Sequence, residues 1–329
     1  MATLTTVRPP AGELPARPKR RRRERPGIKG LRRSLQRHWT LYLLMVVPLI
    51  WFAVFKYIPM SNAVLAFKSF NVVKGIWGSP WVGWQNFDLF FHNPVFWNLV
   101  KNTFVLSVYT VAASFPIAII LALALNEIRN GLFKRTVQMV TYAPYFISTV
   151  VVVSMTILVL SPRLGIVNEG LGFFGVPAID FLGTPDYFRH IYVWSDVWQT
   201  TGYSAVIYLA ALSGIDPALH ESAKLDGATR LQRIRHVDLP GIMPTAVIIL
   251  VLAVGNIMAI GFEKAFLLQN PLNLSESEII ATYVYKTGLL NADFSGATAV
   301  GLFNSVINLV LLLMVNAIAK RITGNGLWS

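Results

Sequence analysis

Six stretches of about 20 mostly apolar residues, the length a bilayer core demands of a helix, leave this chain little choice of fold. They fall at about 39–58, 102–125, 137–160, 191–213, 243–262 and 298–319. Only 14% of residues are charged, against roughly 25% in soluble domains, so the runs do not read as the core of a soluble protein. The fourth run is the most broken, with Ser195, Asp196, Gln199, Thr200 and Thr201 in its first half. Pro48, Pro116 and Pro144 lie inside runs, where neighbouring helices can re-satisfy the carbonyls they free. The expected fold is an all-α membrane protein with six transmembrane helices.

Charge supplies the orientation. The net charge of +13 invites a nucleic-acid reading until its distribution is considered. Residues 1–38 are rich in Pro and Arg, with Arg20, Arg21, Arg22 and Arg23 consecutive, and such a block repels itself into a disordered arm. A nucleic-acid arm, a contact to anionic membrane lipid and a topogenic signal share this composition. The last two need only the apolar run that begins at Trp39, so no nucleic-acid partner is expected. Trp39–Ile58 is too long for the h-region of a cleaved signal peptide. With the N-terminus inside, the cytoplasmic segments collect 21 of the 29 Lys and Arg. The positive-inside rule then places both termini and the loop 214–244 in the cytoplasm. The chain divides into a basic arm, 1–38, and one six-helix domain, 39–329.

That loop is the most structured polar segment of the chain. Asp216 before Pro217 reads as a helix start, an N-cap acceptor followed by a residue whose missing N–H costs nothing in the first turn. Gly227 can take positive φ and end the helix. Thr229 and Gln232 have capping-box spacing and open a second short helix. Leu239 precedes Pro240, which should close that helix before the next apolar run.

Glu221-Ser222-Ala223, Asp226-Gly227-Ala228, Val237, Leu239-Pro240 and Pro244 together resemble the EAA loop of ABC-importer permease subunits, with matching spacing over 24 positions. Two departures from that pattern are Ser222 in place of an Ala and Ile234 where many members carry an aromatic residue. The resemblance implies a MetI-like type I permease fold in a prokaryotic cell membrane. It also implies a second permease subunit, a pair of ATPase subunits and an extracytoplasmic solute-binding protein. Glu221, Ser222, Ala223, Asp226, Gly227, Ala228, Leu239 and Pro240 would couple the chain to the ATPase, whose surface cleft receives the first helix. An ordinary helical hairpin is the plainer alternative for the segment. Phe67-Lys68-Ser69-Phe70-Asn71, Gly75 to Gly83, Gly165-Ile166-Val167-Asn168, Phe262-Glu263 and Asn270-Pro271 are similar to the LplB-type polysaccharide-oligomer permeases.

Catalytic and cofactor motifs find no support. Gly170, Gly172 and Gly175 spell G-x-G-x-x-G, but no strand precedes them and they read as points in a loop. No P-loop is present, so ATP would be hydrolysed on another subunit. His220-Glu221 begins like a zinc-protease helix, yet Lys224 stands where the second His is needed. With no cysteine, disulfides and thiol catalysis are excluded. Asn273-Leu274-Ser275 is a glycosylation sequon by chance. The chain is expected not to be an enzyme, and no cofactor or metal is implied.

Several runs carry a narrow polar face at helical spacing: Thr103, Ser107, Thr110 and Ser114; Thr141, Tyr145 and Ser148; Asp196, Gln199, Thr200 and Tyr203. Asn256 and Glu263 share a face of the fifth run, and Asn304 and Asn308 of the sixth. Such faces either glue membrane helices together or line a wet path. Sugars want hydroxyl and amide partners with aromatic platforms, chemistry offered by Tyr145, Asp196, Trp198, Gln199, Tyr203 and Asn256. The function expected is that of an importer permease for an oligosaccharide. An importer of a non-sugar solute and an ion-coupled secondary transporter are the alternatives; the latter calls for internal repeats that the chain does not show.

Overall fold

The computed structural model describes residues 39–128, 131–258 and 261–323. The basic arm 1–38 and Arg129 lie outside the described residues. Two compact units are distinguished, one ending at Ser61 and one beginning at Asn62. In the first, α1 (Trp39–Phe52) carries Pro48 and passes through a π-helical turn, Ala53–Tyr57, into one more turn ending at Met60. The helical run Trp39–Phe67 is long and apolar enough to cross a membrane.

The second unit is helical. The helices that position the site are α2 (Phe96–Glu127), α3 (Leu132–Tyr142), α4 (Thr149–Val159), α5 (Pro185–Ser213), α6 (Pro217–Leu225), α7 (Arg230–Arg233), α8 (Leu239–Gly255), α9 (Phe262–Leu268) and α10 (Phe294–Thr323). Among the described residues four helices pass as membrane spans singly, or up to six if each bent pair counts as one. The all-helical architecture expected from the apolar runs is therefore present. α5 packs along α2 and also meets α8, and α8 packs against α10. Ala118 and Ala122 on α2, Ala205 on α5 and Ala246 on α8 meet around Tyr208, Leu212 and Ile242. Small side chains let helix backbones approach closely, and van der Waals packing is what holds helices together in lipid. A second cluster joins Leu106, Val153, Phe188, Tyr192, Val193 and Val197 with Ala265 and Leu268 of α9.

Two spans differ from the sequence expectation. The third, expected as one helix over 137–160, is broken: α3 tightens into a 3-10 turn, Ala143–Phe146, Ile147 and Ser148 are extended, and α4 leaves at 102°. Pro144 sits in the tightened turn, and Ser148 restarts the helix by accepting the Val151 N–H at 3.4 Å. The fifth begins earlier than expected. Pro240 does not close the preceding helix; the chain runs helically from Arg230 to Gly255 through a π-helical turn, Ile234–Asp238. There Leu239 donates to the Ile234 carbonyl five residues back, a wider turn that accommodates a following residue with no donor. The helix then ends at Gly255, so Asn256 and Glu263, expected on one face, lie on either side of a break.

The polar faces on α2 and α10 serve packing. Thr103 and Ser107 are buried, their hydroxyls donate to the carbonyls of Leu99 and Thr103, and Thr103 Oγ1 also accepts the Ile280 N–H at 2.9 Å. Asn304 donates to the Met258 carbonyl and Asn308 accepts the Met258 N–H, satisfying backbone that the end of α8 leaves open. Asn273 is fully buried and donates to the carbonyls of Leu182 and Leu268, so the chance sequon is inaccessible. Gly170 and Gly172 lie in a short helix, Ile166–Gly172, where a loop was expected.

Candidate functional site

The loop between α5 and α8 folds as its sequence dictates. Asp216 Oδ1 accepts the Ala218 N–H at 2.9 Å and Pro217 takes the first turn of α6. Gly227 has φ +77°. Its N–H donates to the Lys224 carbonyl at 3.1 Å, and the Ala228 N–H donates to Ala223 at 2.9 Å. These two bonds form a Schellman motif, which requires a left-handed residue where Gly227 stands. Thr229 and Gln232 then cap α7 reciprocally.

The motif determines what the loop presents. Glu221, Ser222, Asp226 and Gly227 are exposed, while Ala223 and Ala228 are half-buried. Three leucines that the motif comparison passes over also stand out of the surface: Leu219, Leu225 and Leu231, with Leu225 90% exposed. Leu239 and Pro240 belong instead to the helix that carries the loop into α8. The loop is tied back to the helices on which it stands. Ile215 packs over Gly241, close enough that a side chain at that glycine would collide with it. Arg233 Nη2 lies 3.9 Å from Glu127 Oε2 at the end of α2.

The second group of candidate residues gathers at the break between α3 and α4. The rings of Tyr145 and Tyr203 stack in parallel, centroids 3.9 Å apart and 6° from coplanar, and both remain partly exposed. Gln199 Nε2 donates to the Ile147 carbonyl at 3.0 Å, satisfying a backbone acceptor freed by the break. A tyrosine platform and an amide thus stand together on α5 and the broken span. Asp196 is ion-paired with Lys264 of α9 at 2.9 Å. Lys264, buried near the start of α9, is the partner that sequence periodicity does not reveal. Trp198 is half exposed and lines an apolar groove of about 520 Å³ between α4 and α5, with Trp194, Tyr187, Val152 and Met155. Asn256 stands apart: its side chain donates to the Leu252 carbonyl of its own helix. Among the described residues no group of three or more His, Asp or Glu is placed to hold a metal ion.

The sequence profile described as "Binding-protein-dependent transport system inner membrane component" matches residues 114–324, which include both groups of residues. The chain is 42% identical over 288 residues to the polygalacturonan/rhamnogalacturonan transport system permease protein YteP of Bacillus subtilis, covering 88% of this chain and 90% of that one. Protein LplB of the same organism is 39% identical over 295 residues, covering 90% and 93%. A chain in the crystal structure of a bacterial ABC transporter involved in the import of the acidic polysaccharide alginate superposes with a TM-score of 0.83 at 39% identity, covering 89% of this chain and 99% of that one. A second structure, of the bacterial alginate transporter in complex with alginate pentasaccharide-bound periplasmic protein, gives 0.84 at 38% identity, covering 90% and 99%. The chain belongs to the inner-membrane components of binding-protein-dependent transport systems, the permease subunits of ABC importers.

Proposed function

We propose that this chain forms half of the membrane passage of an importer for acidic oligosaccharides, the class to which pectic and alginate fragments belong. The observation that carries this reading is the likeness, near 40% identity over almost the whole chain, to two permeases whose substrates are acidic polysaccharides. The α6–α7 loop is the coupling element, in which Glu221, Ser222 and Asp226 present polar contacts and Leu225 an apolar one to a separate ATPase subunit. Leu239 and Pro240 carry the movement into α8. A second permease completes the passage, a pair of ATPases drives it, and an extracytoplasmic protein delivers the solute. The basic arm 1–38 holds the N-terminus in the cytoplasm beside anionic lipid.

The solute meets Tyr145 and Tyr203 at the break in the third span, where an aromatic face suits a sugar ring, and Gln199, buried on the Ile147 carbonyl, shapes that part of the route. Asp196, neutralised by Lys264, contributes no net charge that would repel a uronate, and Trp198 and Asn256 lie farther along the route. Only binding that differs between the inward- and outward-facing states can drive the change. The test is uptake by the importer reconstituted in vesicles with its second permease, ATPase and binding protein. Labelled oligogalacturonate, oligoalginate and neutral maltooligosaccharide should be compared. ATP-dependent uptake of an acidic oligomer, with the neutral one excluded, is the expected result. Uptake of the neutral oligomer alone would refute the cargo assignment, and uptake without ATP would refute the coupling.

A further inference from the structure

Where the coupling loop meets the membrane helices, four ionisable groups come together, one each from α2, α6, α7 and the π-helical turn. Asp238, the last residue of the π-helical turn before α8, is 1% exposed. Neither of its carboxylate oxygens has a hydrogen-bond partner among the described residues. The nearest basic group is the ring of His220 on α6, with Nε2 3.3 Å from Oδ1. Arg233 is engaged with Glu127 of α2 at 3.9 Å, and its own Nε is buried without a hydrogen-bond partner. Lys224, Arg235 and His236 of the same segment are exposed.

The charges balance in one condition. With His220 neutral, Asp238, Glu127 and Arg233 leave one negative charge, centred on the buried Asp238, while the other side chains of the group stay 14–23% exposed. One proton on the His220–Asp238 pair brings the sum to zero. Removing one partner of a buried pair is costly because the other charge is left uncompensated. His220 is the only one of the four on the coupling helix itself, so the proton on this pair joins α6 to the base of α8.

We propose that His220 and Asp238 are positioning residues for coupling: an imidazole–carboxylate ion pair, carrying one proton, that makes α6 and the base of α8 move as one piece. The inference rests on the reading of the loop as the ATPase-coupling element. The joint is firm while the pair carries that proton, and removing either partner leaves the other uncompensated.

The test uses the complete reconstituted importer, with solute taken up per ATP hydrolysed as the readout and ATPase co-purification as a separate one. His220→Gln, at a less buried position, should lower uptake per ATP about tenfold, within the range of site-to-site couplings. Adding Asp238→Asn, which removes the charge left without a partner, should recover most of that loss. Both variants should still retain the ATPase. The joint is refuted if His220→Gln keeps the wild-type ratio, or if the double change loses as much as His220→Gln alone. If the double change does not accumulate, the His220→Gln ratio decides alone. Failure of the wild-type chain to retain the ATPase would overturn the coupling-loop reading itself, a distinguishable outcome.

Discussion

Substitution of Gly227 tests whether the α6–α7 loop couples transport as a rigid element. The structure separates two effects that usually arrive together. A Cβ built on Gly227 meets nothing within 4 Å, so a side chain there is not crowded. The whole cost lies in the backbone, held at φ +77°. A non-glycine residue pays about 1–2 kcal/mol in the left-handed region, and Asn pays less because its side chain can bond locally. A cost of that size is a factor of roughly 5–30 in the ratio of formed to unformed turn. Proline is a different case. Its ring holds φ near −65°, and it has no N–H to give the Lys224 carbonyl, which Gly227 reaches at 3.1 Å. The Schellman motif cannot form with proline at this position. Uptake should therefore follow Gly, Asn, Ala, Pro in descending order, with Pro abolishing transport. Because the loop is exposed, the thermal midpoint of the purified complex should change little across the series. Uptake of labelled oligosaccharide into proteoliposomes, normalised to permease content, is the assay. Wild-type uptake by Gly227→Pro, or Asn falling below Ala, would refute the argument.

Gly202 is the opposite case, because there the backbone is ordinary and the space is missing. A Cβ would overlap the Thr141 carbonyl, a backbone atom that cannot rotate away. Gly202→Val should destabilise the complex by at least the ~1–3 kcal/mol of ordinary overpacking, read as a lowered thermal midpoint, whereas Gly227→Asn should not. Asp196→Asn leaves Lys264 buried and unpaired, and should cost about 3 kcal/mol, the low end of the range for broken buried pairs because Asp196 is partly exposed. The double change Asp196→Asn with Lys264→Met should recover most of that loss in the same melting assay. Tyr203→Ala removes one face of the stacked pair. It should raise the solute concentration for half-maximal uptake while leaving the ATPase bound to the loop, as read by uptake titration and co-purification.

Much of the α6–α7 loop was legible in the chain because its signals are local. Asp216-Pro217, Gly227 and Thr229-x-x-Gln232 act within one or two turns of themselves, and each does in three dimensions what its residue type dictates. The proline at 240 was misleading for an equally local reason. A proline disfavours a regular α-helix, and a π-helical turn offers a way round that residue type alone does not announce. The break in the third span left one mark, Pro144, and the decisive elements are distant: the Gln199 side chain satisfies the Ile147 carbonyl from another helix.

From its sequence alone this protein was bound to be a helical membrane chain with a capped, glycine-hinged polar loop. Bilayer length and backbone geometry act residue by residue, and no knowledge of neighbours is needed to apply them. Which polar groups would be spent on packing and which left open was decided only by tertiary structure. Thr103 and Tyr203 stand on similar polar faces, yet one is buried against Ile280 and the other stacks, half-exposed, on Tyr145. The pairings of Asp196 with Lys264 and of Asp238 with His220 join residues 68 and 18 positions apart in the chain. Attraction between such charges depends on distance and on the exclusion of water, and both are properties of the folded chain.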